Sequence, residues 1–389
     1  MTSYPQHVLL TGATGILGSH ILYELLRSYL YGGEKGKITL IVRSKGQESA
    51  RLRVRKVLQN PYKPEALNIF TTDQLLQFIE IIDADLNELD KSHLAGLDQQ
   101  EGLYIIHSAA YTNLSVNDNV YDDLYHHNYK GTMHLLQWAS GVARKFIFIG
   151  SAYSTGHREG IIPDQYKQLT PDGERAGPTS LSWRNPYEKL KAEVGYAIIR
   201  YCSAHDIKWQ ILRPTTICGR IIDAPLYYSP KYNVFYLFGR FFLKMAKSGD
   251  RNEVVRIVAT PDSVLNVVPV DYIAKAITRV LNNDEIKELN LAYSNSLPVD
   301  YIISYMIRHA GLKSKIVDKI PGDLSILEKM YYKIVGPQFT EYLHTPWHKF
   351  DTAVLRQVME DIPEVNMRKA FPKLYGYAVE QEFGAEMQL

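Results

Sequence analysis

The 389-residue chain has little of what several classes of protein depend on. It contains two cysteines, Cys202 and Cys218, which are too few for a structural zinc site. Both lie in segments that resemble core elements, so we expect a reducing compartment. The formal net charge is only +2, and its 44 basic residues are scattered, so the composition predicts no nucleic-acid-binding surface.

Long apolar segments are also missing. No charge-free apolar run approaches the roughly 20 residues that a membrane-spanning helix needs. The first residues, MTSYPQH, lack the basic and apolar stretches of an export signal. These absences predict a soluble, cytoplasmic protein without a transmembrane segment. His126 and His127 have no carboxylate or cysteine at ligand spacing, so we expect no metal site.

Residues 8–18, VLLTGATGILG, form the most specific pattern in the chain. A short apolar strand leads into a glycine-rich turn, and apolar residues then recur at helical spacing. Gly12 permits the tight turn, Gly15 lets the backbone approach a phosphate, and Gly18 lets the helix pack close to the strand. The free N–H groups at the start of the helix would face an anion. Because a strand precedes the glycines and a helix follows them, the segment predicts a site for a dinucleotide pyrophosphate.

Strands and helices continue to alternate along the first half of the chain, as in a doubly wound parallel α/β sheet. We predict a dinucleotide-binding domain over residues 1–215 and a smaller substrate-binding lobe with a helical C-terminal region over 216–389. The chain is expected to return to the first domain at about 264–280, where VLNVVPV at 264–270 has the composition of a buried strand. Residues 159–184, which contain several prolines and glycines, predict an irregular loop over the site. The predicted strands span 7–11, 37–42, 78–82, 103–107, 145–149 and 208–213.

The turn has the form TGxxGxxG and resembles that of the extended short-chain dehydrogenase/reductases, and further motifs extend the resemblance to about residue 280. These enzymes have a Rossmann-type fold and reduce, oxidise, epimerise or dehydrate carbonyl compounds with NAD(P). The resemblance implies that the turn holds the cofactor through Thr11, Gly12, Thr14, Gly15, Ile16, Leu17 and Gly18.

Arg43 follows the second strand, where an NAD-specific enzyme usually carries an acidic residue against the ribose hydroxyls. A guanidinium there suits a 2′-phosphate, so we predict NADPH as the cofactor, with Arg53 assisting. The alternative is a solvated arginine at a strand end. The resemblance implies further cofactor-binding residues after other strands, namely Asp85, Leu86, Ser108, Ala109, Ala110, Asn128, Pro214, Thr215, Thr216 and Ile217.

The chain contains three Tyr-x-x-x-Lys pairs, of which only Tyr187 and Lys191 fall in a predicted helix, opened by Pro186. Residues four apart share a helix face. The Lys191 ammonium is therefore expected to lower the pKa of Tyr187 from about 10 towards working pH, which suits a proton donor. Lys191 would also hold the nicotinamide ribose.

Ser151 follows the fifth strand in the segment GSAYSTG, at the place of the family's catalytic serine or threonine. Its hydroxyl is expected to donate a hydrogen bond to the substrate carbonyl oxygen as negative charge develops there. Ser154 and Thr155 are alternatives, and a structural role as a cap or turn residue is the alternative for Ser151 itself. The predicted catalytic residues are thus Ser151, Tyr187 and Lys191.

Several segments resemble the thioester reductases and the fatty acyl-CoA reductases of the male-sterility type. They are LIVR at 40–43 followed by a helix at 48–53, GSAY at 150–153, and WHKFD at 347–351. The resemblance implies NADPH-dependent reduction of an acyl thioester to an aldehyde, and a second reduction would give the alcohol. The acyl group would arrive on coenzyme A or on an acyl or peptidyl carrier protein.

The aromatic residues of segment 227–245 have two interpretations. They either pack into the core or line an acyl channel or a carrier-docking surface. Two other functions share the cofactor motifs: a nucleotide-sugar epimerase or dehydratase, and a non-catalytic NADP-sensing protein. The apolar character of 226–245 disfavours the first, and the retention of Ser151, Tyr187 and Lys191 disfavours the second.

Overall fold

The computed structural model of the chain describes residues 5–33, 36–94, 97, 102–115, 119–165, 182–246, 254–345 and 347–387. Its strands are β1 His7–Thr11, β2 Lys37–Ile41, β3 Ile79–Ile82, β4 Leu103–His107, β5 Ala143–Ile149, β6 Gly160–Ile162, β7 Lys208–Pro214, β8 Thr216–Cys218, β9 Val254–Val258, β10 Val264–Leu265, β11 Val267–Pro269, β12 Glu288–Leu291, β13 Leu297–Pro298, β14 Lys313–Val317 and β15 His348–Phe350. Its α-helices are α1 Ile16–Gly32, α2 Ala50–Leu58, α3 Thr72–Leu76, α4 Asn119–Leu124, α5 Gly131–Ala139, α6 Pro186–Ala204, α7 Phe235–Ala246, α8 Val270–Val280, α9 Val299–His309, α10 Ile326–Ile334, α11 Gly336–Leu343, α12 Ala353–Val358 and α13 Met367–Glu380.

One sheet of seven strands organises the fold. Its order is β3-β2-β1-β4-β5-β7-β12, and every neighbouring pair is parallel. The chain order reverses between β1 and β4, so the carboxyl ends of these strands border the crevice in which doubly wound sheets bind their ligands. The predicted Rossmann-type sheet is confirmed.

The strands of the sheet carry apolar residues on both faces, which is why they can be predicted from the sequence. In β1, Val8 and Leu10 belong to one core cluster, which includes residues of α1 and α8, whereas Leu9 belongs to the other, which includes residues of α5 and α6. All three side chains are fully buried. A parallel strand covered by helices on both faces is apolar throughout. The six predicted strands accordingly lie within two residues of the observed β1 to β5 and β7.

The chain returns to the sheet later than predicted. Segment 264–270 does not join the central sheet, because β10 pairs with β13, β11 pairs with β8, and Val270 begins α8. The seventh strand is instead β12, which pairs with β7. Its sequence, ELNL, includes the buried Asn290, whose side chain donates to the Ile162 and Pro163 carbonyls. This polar core residue interrupts the apolar pattern that predicts a strand, and the division of the chain at residue 215 stays a prediction.

The aromatic segment 227–245 packs mostly into the core. Helix α7 buries Phe235, Tyr236, Phe238 and Phe242, and it contacts α9 and α13. A cavity of about 40 Å³ remains beside Phe235 and Phe238, and apolar side chains of α9 and α11 line its other walls. The structure therefore favours the core interpretation of these aromatics over an acyl channel.

The described residues also bear on the cysteines and on membrane-spanning helices. Both cysteines are buried free thiols, and burial raises the pKa of the Cys202 thiol to about 12. None of the helices in the described part of the chain combines the length and the apolar character needed to cross a bilayer.

Candidate active site

The turn from β1 to α1 is shaped by close backbone contacts at its glycines. Gly12 has a φ of +77°, and a Cβ placed on it would lie 2.6 Å from the Ala109 backbone nitrogen. A Cβ on Gly18 would lie 2.0 Å from the Gly12 carbonyl oxygen. Gly15 caps α1 without any side-chain hydrogen bond, so within the described residues no capping side chain competes for the first-turn N–H groups of the helix. The turn can therefore cradle a phosphate group.

A cleft of about 340 Å³ adjoins this turn. The predicted cofactor residues found in its wall are Thr11, Gly12, Thr14, Gly15, Arg43, Arg53, Asp85, Leu86, Ser108, Ala109 and Ala110. The wall also contains residues that were not predicted to bind the cofactor, among them Lys45, Tyr111, His127 and Lys231. Four basic side chains thus line one cleft, which suits an anionic ligand.

A chain of hydrogen bonds fixes the loop after β4. The Thr11 hydroxyl lies 2.7 Å from His107 Nδ1 and accepts from the Ala109 N–H at 3.1 Å. Burial lowers the pKa of His107 to about 3, so its imidazole is neutral. The Asn128 amide accepts from the Tyr111 N–H at 2.7 Å and donates to the Tyr111 carbonyl at 2.8 Å. Asn128 thus lies behind the wall of the cleft and holds the backbone of a residue that lines it.

Two arginines and one aspartate form the end of the cleft nearest β2. Arg43 Nη1 lies 3.0 Å from Asp85 Oδ2, and Arg53 Nη2 donates to the Thr14 hydroxyl at 3.0 Å. Burial by itself would raise the pKa of the Asp85 carboxyl, but hydrogen bonds from the Asn87 N–H and from Arg43 bring it below its ordinary value. Asp85 is therefore ionised and orients the Arg43 guanidinium.

Other predicted cofactor residues lie outside the wall of this cleft. Ile16, Leu17 and Gly18 form the first turn of α1. Pro214, Thr215, Thr216 and Ile217 lie where β7 continues into β8. The Thr215 hydroxyl donates to Asn266 Oδ1 at 2.8 Å, and the Thr216 hydroxyl is 3.2 Å from the Tyr153 hydroxyl. The assignment of segment 214–217 to the nicotinamide end of the cofactor stays a prediction.

Helix α6 carries Tyr187 and Lys191 on one face, as the spacing predicts. Asn185 caps the helix by accepting from the Glu188 N–H at 3.0 Å, and Pro186 occupies its first turn. Lys191 Nζ lies 5.8 Å from the centroid of the Tyr187 ring and donates to the Ile149 carbonyl at 3.0 Å. The end of β5 thus fixes the lysine beside the tyrosine.

The pKa values of this pair differ from the expectation. Burial raises the pKa of Tyr187 to about 12, and a hydrogen bond with the Thr112 side chain opposes this only in part. Burial lowers the pKa of Lys191 to about 7. The expected lowering of the Tyr187 pKa by Lys191 is therefore wrong for the protein alone, because desolvation of the buried phenol dominates and the neighbouring Glu188 carboxylate raises the pKa further. Tyr187 is protonated at neutral pH, which is the form that can give up a proton.

The hydroxyl groups after β5 differ in their hydrogen bonds. Ser154 donates to the Ser151 carbonyl at 2.6 Å, and Thr155 donates to the Ala152 carbonyl at 2.9 Å. The half-buried Ser151 hydroxyl accepts from the Tyr153 N–H at 3.3 Å. Within the described residues it donates to no acceptor and shares no hydrogen bond with Tyr187. The hydroxyls of the alternatives Ser154 and Thr155 thus donate to backbone carbonyls, whereas the hydroxyl proton of Ser151 is available to a ligand.

The predicted loop over the site is described only at its ends. Gly160–Ile162 forms β6, which pairs with β15, and Trp183 Nε1 donates to the Ser154 carbonyl at 2.9 Å. Residues 166–181 lie outside the described residues.

Several residues of the site could be found only from tertiary structure. Lys231 lines the cleft although more than 200 residues separate it from the glycine turn, and Thr112 contacts Tyr187 from a segment without a motif. Lys45 is different, because its basic side chain two residues after Arg43 is a local sequence signal for the same anionic ligand.

The sheet order, the glycine cradle and the Tyr-x-x-x-Lys helix define an NAD(P)-dependent oxidoreductase of the Rossmann type. The sequence model of the family described as male sterility protein matches residues 10–277, which is more than half of the chain. The chain belongs to this family, which confirms the resemblance to male-sterility-type reductases inferred from its motifs.

Two curated relatives are similar to parts of the chain. The large subunit of L-2-aminoadipate reductase from Eremothecium gossypii is 28% identical over 297 residues, which cover 71% of this chain and 19% of the relative. The isonitrile lipopeptide synthase of Mycobacterium tuberculosis is 33% identical over 153 residues, or 37% of this chain and 6% of the relative. The chain thus spans a fifth or less of the length of these relatives.

Solved structures share the fold over nearly the whole chain. The terminal R domain from the myxalamid PKS-NRPS pathway has a TM-score of 0.70 at 20% identity, covering 100% of this chain and 94% of that one. A thiolation-reductase di-domain from an archaeal non-ribosomal peptide synthetase has a TM-score of 0.66 at 18% identity, covering 97% and 91%. UDP-glucuronic acid 4-epimerase from Bacillus cereus has a TM-score of 0.60 at 16% identity, covering 96% and 99%.

Proposed function

We propose that the chain reduces acyl thioesters with NADPH, releasing an aldehyde and a thiol. The observation that carries the proposal is membership of the male sterility protein family by a chain that keeps Tyr187 and Lys191 on one helix face. Its relatives include an L-2-aminoadipate reductase, and two of the similar structures are an R domain and a thiolation-reductase di-domain. We infer that the acyl group arrives on a carrier protein, and coenzyme A is the alternative carrier.

The cofactor assignment rests on how well the cleft fits a phosphorylated dinucleotide. The positions of Gly12 and Gly18 leave no room for a Cβ, so the backbone itself forms the pyrophosphate cradle. The basic wall residues Arg43, Lys45, Arg53 and Lys231 suit further phosphate oxygens. No acidic residue follows β2 directly, where an NAD-specific enzyme would bind the ribose hydroxyls. We therefore assign NADPH rather than NADH.

The catalytic residues are assigned roles that follow from their protonation. NADPH, when bound, supplies the hydride that reduces the thioester carbonyl carbon. The Ser151 hydroxyl donates a hydrogen bond to the carbonyl oxygen, and Tyr187, protonated at neutral pH, transfers its proton to that oxygen. Lys191, with its pKa of about 7, supplies a proton to restore the phenol. The resulting hemithioacetal breaks its carbon–sulfur bond to give the aldehyde and the thiol.

A nucleotide-sugar epimerase or dehydratase is the alternative within the same fold. The epimerase structure has a TM-score of 0.60, below the 0.70 and 0.66 of the two reductase structures. The family match also favours a reductase. These comparisons support thioester reduction over sugar epimerisation.

The proposal is tested by offering the purified chain NADPH and a panel of thioesters. The acyl groups are presented on pantetheine, on coenzyme A and on a carrier protein, with UDP-sugars as the comparison substrates. We expect NADPH consumption with at least one thioester and an aldehyde or alcohol identified by mass spectrometry. Turnover of a UDP-sugar without thioester reduction would contradict the proposal and favour the alternative.

A further inference from the structure

A buried arginine stands immediately before the catalytic helix. The Arg184 side chain is 2% exposed, and its Nη1 lies 3.2 Å from Glu188 Oε2. The Arg184 backbone N–H donates to the same carboxylate oxygen at 3.2 Å. Glu188 is the neighbour of Tyr187 in the chain and is itself fully buried. The ion pair therefore closes the helical turn that carries the predicted proton donor.

The same guanidinium contacts two aromatic rings from distant segments. Its central carbon is 5.5 Å from the Tyr153 ring centroid and 5.3 Å from that of Tyr342, within the range of cation–π attraction. The two rings are perpendicular to each other, with centroids 5.7 Å apart. Tyr153 is two residues beyond Ser151, and Tyr342 belongs to α11. One cation thus contacts the loop of Ser151, the turn of Tyr187 and a helix of the C-terminal region.

Two hydrogen bonds strengthen the link to the C-terminal region. Arg184 Nε donates to the Thr345 hydroxyl at 3.2 Å, and the helix cap Asn185 donates from Nδ2 to the Tyr342 hydroxyl at 2.9 Å. Tyr342 and Thr345 lie beyond residues 10–277, the part of the chain that the family model matches. A buried ion pair seldom stabilises a protein more than apolar residues of the same volume would, so fixing geometry is the better explanation of this one.

We propose that Arg184 and Tyr342 are positioning residues, through which the C-terminal region holds Tyr187 at its distance from Ser151. This inference rests on the proposed function, because it assumes that Tyr187 is the proton donor. Neither residue touches the reacting atoms in this account. Their contribution acts through the orientation of the first turn of α6.

The kinetic test uses two substitutions and a matched control. Arg184→Met removes the cation and keeps most of the volume, and Tyr342→Leu removes the ring. Tyr332→Leu is the control, because Tyr332 is also a hydrogen-bonded tyrosine beyond residue 277, but it contacts Val258 and Arg256 instead of α6. We expect kcat for thioester reduction to fall by about tenfold or more in the first two variants, with the NADPH Kd within about twofold of the parent. The control Tyr332→Leu should leave both kcat and the NADPH Kd at their parental values.

Combination with Tyr187→Phe separates positioning from general loss of structure. If Arg184 and Tyr342 act through the phenol, adding either substitution to Tyr187→Phe leaves the residual rate unchanged. A further fall in that residual rate, or an unchanged kcat in the single variants, would overturn the inference. Tyr342→Phe and Arg184→Lys serve as milder variants if the first two unfold, and we expect partial retention of kcat in both.

A spectroscopic readout keeps the test independent of turnover. Tyrosine labelled with ¹³C at Cζ gives a Tyr187 resonance that Tyr187→Phe identifies by its disappearance. We expect this resonance to shift in Arg184→Met and Tyr342→Leu but not in Tyr332→Leu. No shift would overturn the positioning role. Absence of parental turnover with every thioester would instead contradict the proposed function.

Discussion

Replacing Lys191 with methionine is expected to abolish turnover and yet stabilise the folded protein near neutral pH. Burial lowers the pKa of this lysine from its ordinary 10.5 to about 7. A pKa lowered from 10.5 to about 7 corresponds to about 5 kcal/mol of stability that the charged lysine removes below pH 7, relative to the neutral lysine. Methionine also leaves the Ile149 carbonyl without its 3.0 Å hydrogen bond, which costs about 1–3 kcal/mol. The expected net gain at low pH is therefore about 2–4 kcal/mol.

The dependence on pH isolates the effect of the lysine. Between pH 7 and 10.5 the unfolded chain keeps the Lys191 proton that the folded chain has lost, so parental stability rises with pH through this window. The advantage of Lys191→Met should therefore shrink by about 3 kcal/mol between pH 6.5 and pH 9.5.

Urea denaturation of the nucleotide-free protein at these two pH values measures that change. Lys189→Met is the control, because Lys189 is an exposed lysine of the same helix, and its effect should be nearly constant with pH. A Lys191→Met effect that does not change with pH would refute the reasoning.

Three substitutions test the cofactor cleft. Arg43→Asp should lower the preference for NADPH over NADH by about 10–100-fold, as expected for a lost charge-assisted hydrogen bond, and an unchanged ratio of kcat/KM values would contradict the assignment. Lys231→Gln should weaken NADPH binding by about three- to tenfold, measured by calorimetry, because a lysine from beyond residue 215 lines the cleft; equal Kd values would exclude its contact with the cofactor. Gly12→Ala should lose nucleotide binding, because its Cβ would lie 2.6 Å from the Ala109 nitrogen and its φ is +77°; NADPH binding at the parental Kd would show that the cradle is not the phosphate site.

Features that depend on neighbouring residues in the chain could be predicted from the sequence. The strand ending at Thr11, the glycine turn and the helix with Tyr187 and Lys191 each have a local pattern, and the structure places the turn in the cleft wall and the pair on α6. Each of these features is determined by a few neighbouring residues, so it can be predicted without knowing how distant segments pack.

Features that arise from contacts between distant segments could not be predicted in this way. Strand β12 was not predicted because the polar Asn290 breaks its apolar pattern. Asn290 can be buried only because its side-chain amide donates to the carbonyls of residues 162 and 163, which are distant in the chain. The pKa of Tyr187 was expected to fall, but its direction depends on burial by the surrounding fold. Arg184 has no motif, and its contacts with Tyr342 and Thr345 span more than 150 residues.

The rate of NADPH oxidation by Tyr187→Phe in the presence of an acyl thioester tests the central claim most directly. The variant keeps the ring and its packing and loses only the hydroxyl, so NADPH should bind with the parental Kd. We predict that thioester-dependent turnover falls by about 10²-fold or more, as for loss of a general acid. Parental turnover in this variant would contradict the assignment of Tyr187 as the proton donor.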